Sequence, residues 1–217
     1  MFRRRLPLPP PRQLPWQLKP LQSAHTSVRY DEFGRMVMRI RHDILKDVTP
    51  AMVAWWFRNI AGDMQIQGEQ LNRYLVWHPH DHIRWEFAQP GPDGGASAGA
   101  KFRIVEAFGR NPDFYFDVTE TVTRLDDSGM TIEGYRLGQQ VTRLNHDFSA
   151  VQGGTLYVSS LTIGITMPIL KDLVNPLIYR AIFPEAMGRA WLKHNVEEVG
   201  LLEHIIPLVY PRAHAAA

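Results

Sequence analysis

Near the C-terminus the string Trp191-Leu-Lys-His194-Asn-Val-Glu-Glu198 sets a histidine and a glutamate four residues apart. At about 100° per residue, a helix here places Met187, Ala190, Trp191, Leu201, Leu202 and Ile205 on one stripe, with His194 and Glu198 near its centre line and Glu197 toward its edge. A carboxylate aimed at a core is costly unless a charge meets it, so this placement asks for a partner. Imidazole and carboxylate on adjacent turns form a bidentate arrangement suited to zinc.

Other polar residues interrupt apolar patterns in the same way. In Phe102-Arg-Ile104-Val-Glu106-Ala-Phe108 the period of two puts Glu106 on the face of Phe102, Ile104 and Phe108, where an apolar residue belongs. His146 shares a strand face with Leu144 and Phe148, and three histidines fall within five residues in His78-Pro-His-Asp-His82. Taken singly, each has an ordinary structural reading: an edge glutamate paired with arginine, a satisfied core histidine, a helix hydrogen bond, a polar turn. A single divalent cation accounts for most of them at once, and two neutral imidazoles with two carboxylates neutralise a zinc ion.

The elements that must carry these residues follow from periodicity and punctuation. Arg35 to His42 alternates as a strand, and Thr49-Pro50 supplies an N-cap and an N1 proline for a helix through Trp55, Trp56 and Phe57 that Gly62 ends. A strand is predicted over Arg73 to Trp77, followed by another apolar run from Ile83 to Phe87. Gln89 to Ala100, rich in glycine, proline and alanine, reads as a hairpin loop, since no Gly-Lys-Ser/Thr follows to make a phosphate cradle. Lys101 to Ile165 is strand after strand, with turns at Gly109-Arg-Asn-Pro112, Asp126-Asp-Ser-Gly129 and Gln152-Gly-Gly154. Asn175-Pro176 then starts a helix, Pro184 breaks it, and a last helix runs to about Ile206 before Pro207. Strands followed by one long helix predict an α+β protein whose antiparallel sheet wraps that helix, with the polar inward residues meeting in the cavity between them.

Composition limits the remaining options. With 217 residues and 45% hydrophobic content the chain can bury a core of its own, and a single domain over 23–209 is expected, flanked by an arm (1–22) and a tail (210–217). Cysteine is absent, so disulfides, thiolate nucleophiles and iron–sulfur clusters are excluded, and a cytoplasmic location is expected. The net charge of +2 divides into +5 on residues 1–20 (Arg3, Arg4, Arg5, Arg12, Lys19) and −3 on the rest. A mildly acidic body lacks the basic face that nucleic acid requires. The longest apolar stretch, Leu161 to Leu170, contains Pro168 and is about half the ~20 residues of a membrane span, so no membrane association is expected. The proline-rich arm reads as an extended, mobile segment that suits packing on a second copy in a homodimer.

Trp77-His78-Pro79-His80-Asp81-His82, the helix start Thr49-Pro50-Ala51-Met52 leading to Trp55-Trp56-Phe57, and His194-Asn-Val-Glu-Glu198-Val-Gly200 together resemble the diacetylphloroglucinol hydrolase family, over about residues 35 to 207. The resemblance implies a helix-grip fold of the birch-pollen-allergen (START-like) type and one Zn2+ held by His78, Glu106, His194 and Glu198. It implies hydrolysis of the carbon–carbon bond between an acyl group and a polyhydroxylated ring, with a small aromatic ketone as substrate. Zinc chemistry on water or on the acyl carbonyl fits a chain with no cysteine nucleophile. His146 is the candidate acid/base, by its inward position and its resemblance to a family histidine in the sheet. Asp81 and His82 are expected to orient phenolic hydroxyls or to support His78, and Tyr74 and Tyr157 to bond the ring hydroxyls. A non-catalytic carrier of hydrophobic ligands, or an aromatase/cyclase without zinc, is the alternative on the same fold, and metal content separates the readings.

Overall fold

The computed structural model describes residues 4–214, with side chains described as far as Tyr210. In chain order the elements are β1 (His25–Tyr30), β2 (Met36–Arg41), β3 (Leu45–Lys46), α1 (Pro50–Arg58), β4 (Asp63–Ile66), β5 (Glu69–Asn72), α2 (Arg73–Trp77), β6 (His82–Gln89) and β7 (Lys101–Ala107). They continue with β8 (Tyr115–Asp126), β9 (Gly129–Arg136), β10 (Gln139–Val151), β11 (Gly154–Ile163), α3 (Leu170–Ala181) and α4 (Glu185–His214). Among the described residues, nine strands form an antiparallel sheet of order β1-β2-β11-β10-β9-β8-β7-β6, with β3 also on β11, while β4 and β5 make a separate hairpin. The first hairpin therefore joins the last strand, and the sheet curves around α4. This is the helix-grip architecture.

The inward face can be followed by register. Glu106 stands opposite Phe116 and Phe102 opposite Glu120 across β7 and β8, while Leu144 and His146 on β10 face Ile132 and Met130 on β9 and Leu161 and Ser159 on β11. Two apolar bodies hold the helix. One gathers Trp56, Phe57, Trp77, Phe102 and Tyr157 around Leu201, Leu202 and Ile205; the other gathers Met36, Met38, Leu161 and Phe183 around Met187, Trp191 and Leu192. His194 and Glu198 lie on α4 at the joint between these two bodies, so the polar site is walled by core on both sides. At Gly188 the helix passes close to β2, where a Cβ would stand 2.7 Å from the Met38 sulfur.

Capping explains α1 as expected: Thr49 accepts from the Met52 amide and Pro50 occupies the first turn. Three other expectations are corrected. Arg73 to Trp77 is a short helix rather than a strand, because Asn72 caps it by accepting from the Tyr74 amide at 3.1 Å and helical spacing buries Tyr74 and Trp77 together. Pro176 lies inside α3 instead of starting it, and Asn175 is used to cross-link, donating to the carbonyls of Phe33 and Ile165 at 3.1 Å and accepting from the Ile165 amide at 2.8 Å. Pro207 does not end α4; the buried side chains of Ile205, Ile206 and Val209 hold the helix past it, outweighing a proline cost of about 3 kcal/mol.

The described part of the arm lies on its own chain. The Arg12 amide donates to the Pro79 carbonyl at 3.1 Å, Trp16 stacks on His204 with ring centroids 5.7 Å apart, and Lys19 pairs with Glu203 at 3.1 Å. Residues 1–3 and 215–217, the ends of the expected arm and tail, lie outside the described residues. Among the described residues no helix is long and apolar enough to cross a membrane.

Candidate metal centre and cavity

His82 opens β6 at the end of the His-Pro-His-Asp-His turn, with none of its surface exposed. Its Nδ1 lies 2.7 Å from the Tyr74 carbonyl oxygen, and only an N–H can satisfy that acceptor, so the proton sits on Nδ1. Nε2 is left with a lone pair. It finds no hydrogen-bond partner, yet it faces Glu106 Oε1 and Glu198 Oε2, each at 3.3 Å. Burial lowers His82 to about 4 against the pull of Glu106, so the ring is neutral near pH 7. An acceptor pointed at two buried carboxylates is repulsive in a dry site unless a cation lies among them.

His194 approaches the same oxygens from α4. Its Nε2 is 3.6 Å from Glu106 Oε2 and 3.9 Å from Glu198 Oε2, while Asp81 Oδ2 holds Nδ1 at 3.0 Å. Burial alone would lower His194, but Glu106, the Asp81 hydrogen bond and Glu198 outweigh it and raise the imidazole to about 9, so near pH 7 Nε2 carries a proton that a metal bound there would displace. Burial likewise works to raise Asp81, yet the bond to His194 and the charges of His194 and His78 hold it well below the usual carboxylate range. Asp81 is itself fixed by amide donors from Gly109 at 2.8 Å and Arg110 at 3.1 Å. The Tyr74 hydroxyl donates to Glu106 Oε1, and the Asn195 amide donates to Glu198 Oε1. Each acidic residue is thus oriented by a named donor, and His82, Glu106 and His194 offer ligand atoms within 4.8 Å of one another, so they could hold a metal ion.

His78 is turned differently. Its ring stacks on His194 with centroids 4.4 Å apart, its Nδ1 accepts from the Asp81 amide at 3.2 Å, and its Nε2 faces Glu197 Oε2 at 3.4 Å and Asp81 Oδ2 at 3.7 Å. It belongs to a neighbouring set with Asp81 and His194 that also meets a metal-like spacing. Of the expected set His78, Glu106, His194 and Glu198, the structure brings the last three together, and the imidazole directed between the two glutamates is that of His82, with His78 facing Glu197 and Asp81.

Beside this cluster opens a cavity lined by Phe57, Tyr74, Trp85, Phe102, Glu120, His146 and Trp191, with Glu106, His194 and Glu198 at one wall. His146 stacks on Phe57, and Ser159 Oγ lies 3.1 Å from its Nδ1 and 2.9 Å from His42 Nε2. Burial drives His146 and His42 down to about 3, so both are neutral near pH 7. Tyr157, fully buried against His146, has a hydroxyl with no hydrogen-bond partner. Sequence reasoning missed Glu120 and the tryptophan walls Trp85 and Trp191 as cavity residues, and Ser159 as the buried link between His146 and His42. Alternation along Tyr115–Asp126 carries the signal for Glu120, which shares the face of Val118 and Val122.

This chain belongs to the DAPG hydrolase family: residues 34–211 match the profile described as the DAPG hydrolase PhiG domain. It is similar to the phloretin hydrolase of Eubacterium ramulus, with 21% identity over 182 residues, covering 75% of this chain and 63% of that protein. The chain thus spans less than two thirds of the length of that relative. Among solved structures it is similar to a START superfamily protein from Mycobacterium smegmatis, with 11% identity, 76% of this chain and 98% of the other covered, and a TM-score of 0.42. Protein Ms6760 from the same organism covers 82% of this chain and 96% of its own length at 11% identity, with a TM-score of 0.48.

Proposed function

We propose that this protein is a zinc-dependent hydrolase that cleaves the carbon–carbon bond joining an acyl group to a polyhydroxylated aromatic ring. The observation that carries the proposal is the unpartnered, buried Nε2 of His82 set 3.3 Å from both Glu106 and Glu198. With His194 Nε2, these atoms offer two imidazoles and two carboxylates, the donor set that zinc prefers where thiolates are lacking. Asp81, bonded to His194 Nδ1, and the Tyr74 carbonyl, bonded to His82 Nδ1, fix both rings with Nε2 toward the glutamates. Bound there, zinc supplies Lewis-acid chemistry on water or on the acyl carbonyl.

The chain's own residues supply the rest. Phe57, Phe102, Trp85 and Trp191 provide flat apolar walls that hold an aromatic ring and exclude water from the bond to be broken. Overall, the hydroxyl of water ends on the acyl carbon as a carboxylic acid and its proton ends on the ring carbon that carried the acyl group. That ring carbon leaves as a carbanion equivalent, whose charge its neighbouring phenolic oxygens share. We assign the proton transfer there to His146, a choice supported by its position on the cavity wall and by its link through Ser159 to His42. Tyr157, fully buried against His146 and not lining the cavity, supports that histidine from behind.

The test is to incubate zinc-loaded protein with acylphloroglucinols and follow release of the carboxylic acid and the deacylated phenol in equal amounts. Binding of the ketone without acid release, by protein that holds no metal, is the behaviour of a carrier and would contradict the proposal.

A further inference from the structure

Glu120 lies in the cavity wall but away from the cluster of His82, Glu106, His194 and Glu198. On β8 it stands opposite Phe102, whereas Phe116 stands opposite Glu106, so two inward-facing steps, about 13 Å of strand, separate Glu120 from the level of Glu106. It is 4% exposed, and the Thr142 hydroxyl donates to its Oε1. On the side of this cavity the walls are apolar (Phe116, Ile132, Leu144 and Leu161), while Arg136 and Thr142 border it from an adjoining pocket. Room for the pair is made by Gly134, where a Cβ would fall 2.2 Å from Thr142 Oγ1 and 3.0 Å from Glu120 Oε1. Only Oε1 has a hydrogen-bond donor, Thr142, with Arg136 nearby, so the acceptor capacity of this buried carboxyl is completed when something in the cavity donates to it.

Resting on the hydrolase reading above, we propose that Glu120 determines substrate specificity by accepting a hydrogen bond from a ring hydroxyl at the end of the aryl ketone remote from its acyl group. With the carbonyl at the His194 wall, the far edge of the ring is directed along β8 toward Glu120. A phenolic hydroxyl there meets a carboxyl acceptor on an otherwise apolar cavity face, and a ring with hydrogen at that position leaves the free acceptor capacity of the carboxyl unused. Sites built to bond a substrate hydroxyl reject analogues that lack it far more strongly than apolar pockets reject an extra group. Burial, opposed by the Thr142 bond and by Arg136, pushes Glu120 up to about 7, in keeping with a carboxyl that the protein alone does not fully satisfy.

The experiment compares two ligands, 2,4,6-trihydroxyacetophenone and its 2,6-dihydroxy analogue, on zinc-loaded wild type, Glu120→Gln and Glu120→Leu. Dissociation constants are read from quenching of the cavity tryptophans, and acid release is followed in parallel. Wild type is expected to prefer the trihydroxy ligand by about tenfold or more, Glu120→Gln to reduce that preference and Glu120→Leu to abolish it, with affinity for the dihydroxy analogue kept or improved. Should Glu120→Leu fail to fold, the near-isosteric Glu120→Gln decides alone. A preference equal in wild type and variants, or none in wild type, overturns the role of Glu120 even if acid is released. A Glu120-dependent preference without acid release upholds it while counting against the hydrolase reading.

Discussion

Asp81 Oδ2 lies 3.0 Å from His194 Nδ1, although 113 residues separate them in the chain. The contact presents Nε2 of His194 to Glu106 and Glu198. Partners of this kind typically contribute 10- to 100-fold to metal affinity. Asp81→Asn removes the charge and keeps one oxygen for the two amides, which Gly109 gives to Oδ2 and Arg110 to Oδ1; it is expected to lose some thermal stability and to bind zinc about 10- to 100-fold more weakly. Competition with a chelator of known affinity measures this directly, and an unchanged affinity would show that Asp81 only ties down the turn.

Tyr74 contributes in two ways, its carbonyl fixing His82 and its hydroxyl fixing Glu106. Burial and the neighbouring Glu106 raise its phenol well above the ordinary value, so it stays a donor across the working pH range. Tyr74→Phe removes the hydroxyl alone. Hydrogen bonds to charged groups are worth about 1.5–3 kcal/mol, so kcat/KM is expected to fall by roughly 10- to 150-fold with little change in the circular dichroism spectrum. A drop of less than twofold would place Glu106 under the control of other contacts.

The parts of this site that were legible in the sequence are those on periodic elements. Glu106 and His146 stood out because strict alternation puts them inward, and His194 and Glu198 because they fall on the apolar stripe of α4. The turn from His78 to His82 has no period, so nothing local distinguishes which imidazole faces the glutamates. That choice is made by long-range contacts: the Tyr74 carbonyl on His82, and His194 stacked on His78. Arg73–Trp77 is a helix instead of an alternating strand because of a local cap, Asn72 on the Tyr74 amide, together with the joint burial of Tyr74 and Trp77. Proline opposes helix locally, which makes Pro207 a stop by sequence, while the burial of the residues flanking it arises only in the packed structure.

Acid should destabilise the domain through histidines outside the proposed ligand set. Burial keeps His42 and His146 neutral in the fold, with values of about 3 instead of the model-peptide 6.5. Above pH 6.5 neither state binds the proton and there is no penalty; below it the unfolded chain takes up protons that the fold refuses. Stability is therefore lost as pH falls from about 6.5 toward 3, at up to about 1.4 kcal/mol per pH unit for each histidine. His42→Asn is expected to shallow the slope of unfolding free energy against pH by about one such contribution. A slope identical to wild type between pH 6 and 4 would mean that His42 becomes protonated without cost.

The central claim is that a cation sits between His82, Glu106, His194 and Glu198. Elemental analysis of protein expressed in zinc-replete medium and passed through a metal-free column tests it most directly, with His82→Ala and His78→Ala alongside. The account predicts about one zinc ion per chain in wild type, a value near zero in His82→Ala, and retention of most of the metal in His78→Ala at some cost in thermal stability. Wild-type protein without zinc, or loss of the ion from His78→Ala but not from His82→Ala, would contradict it.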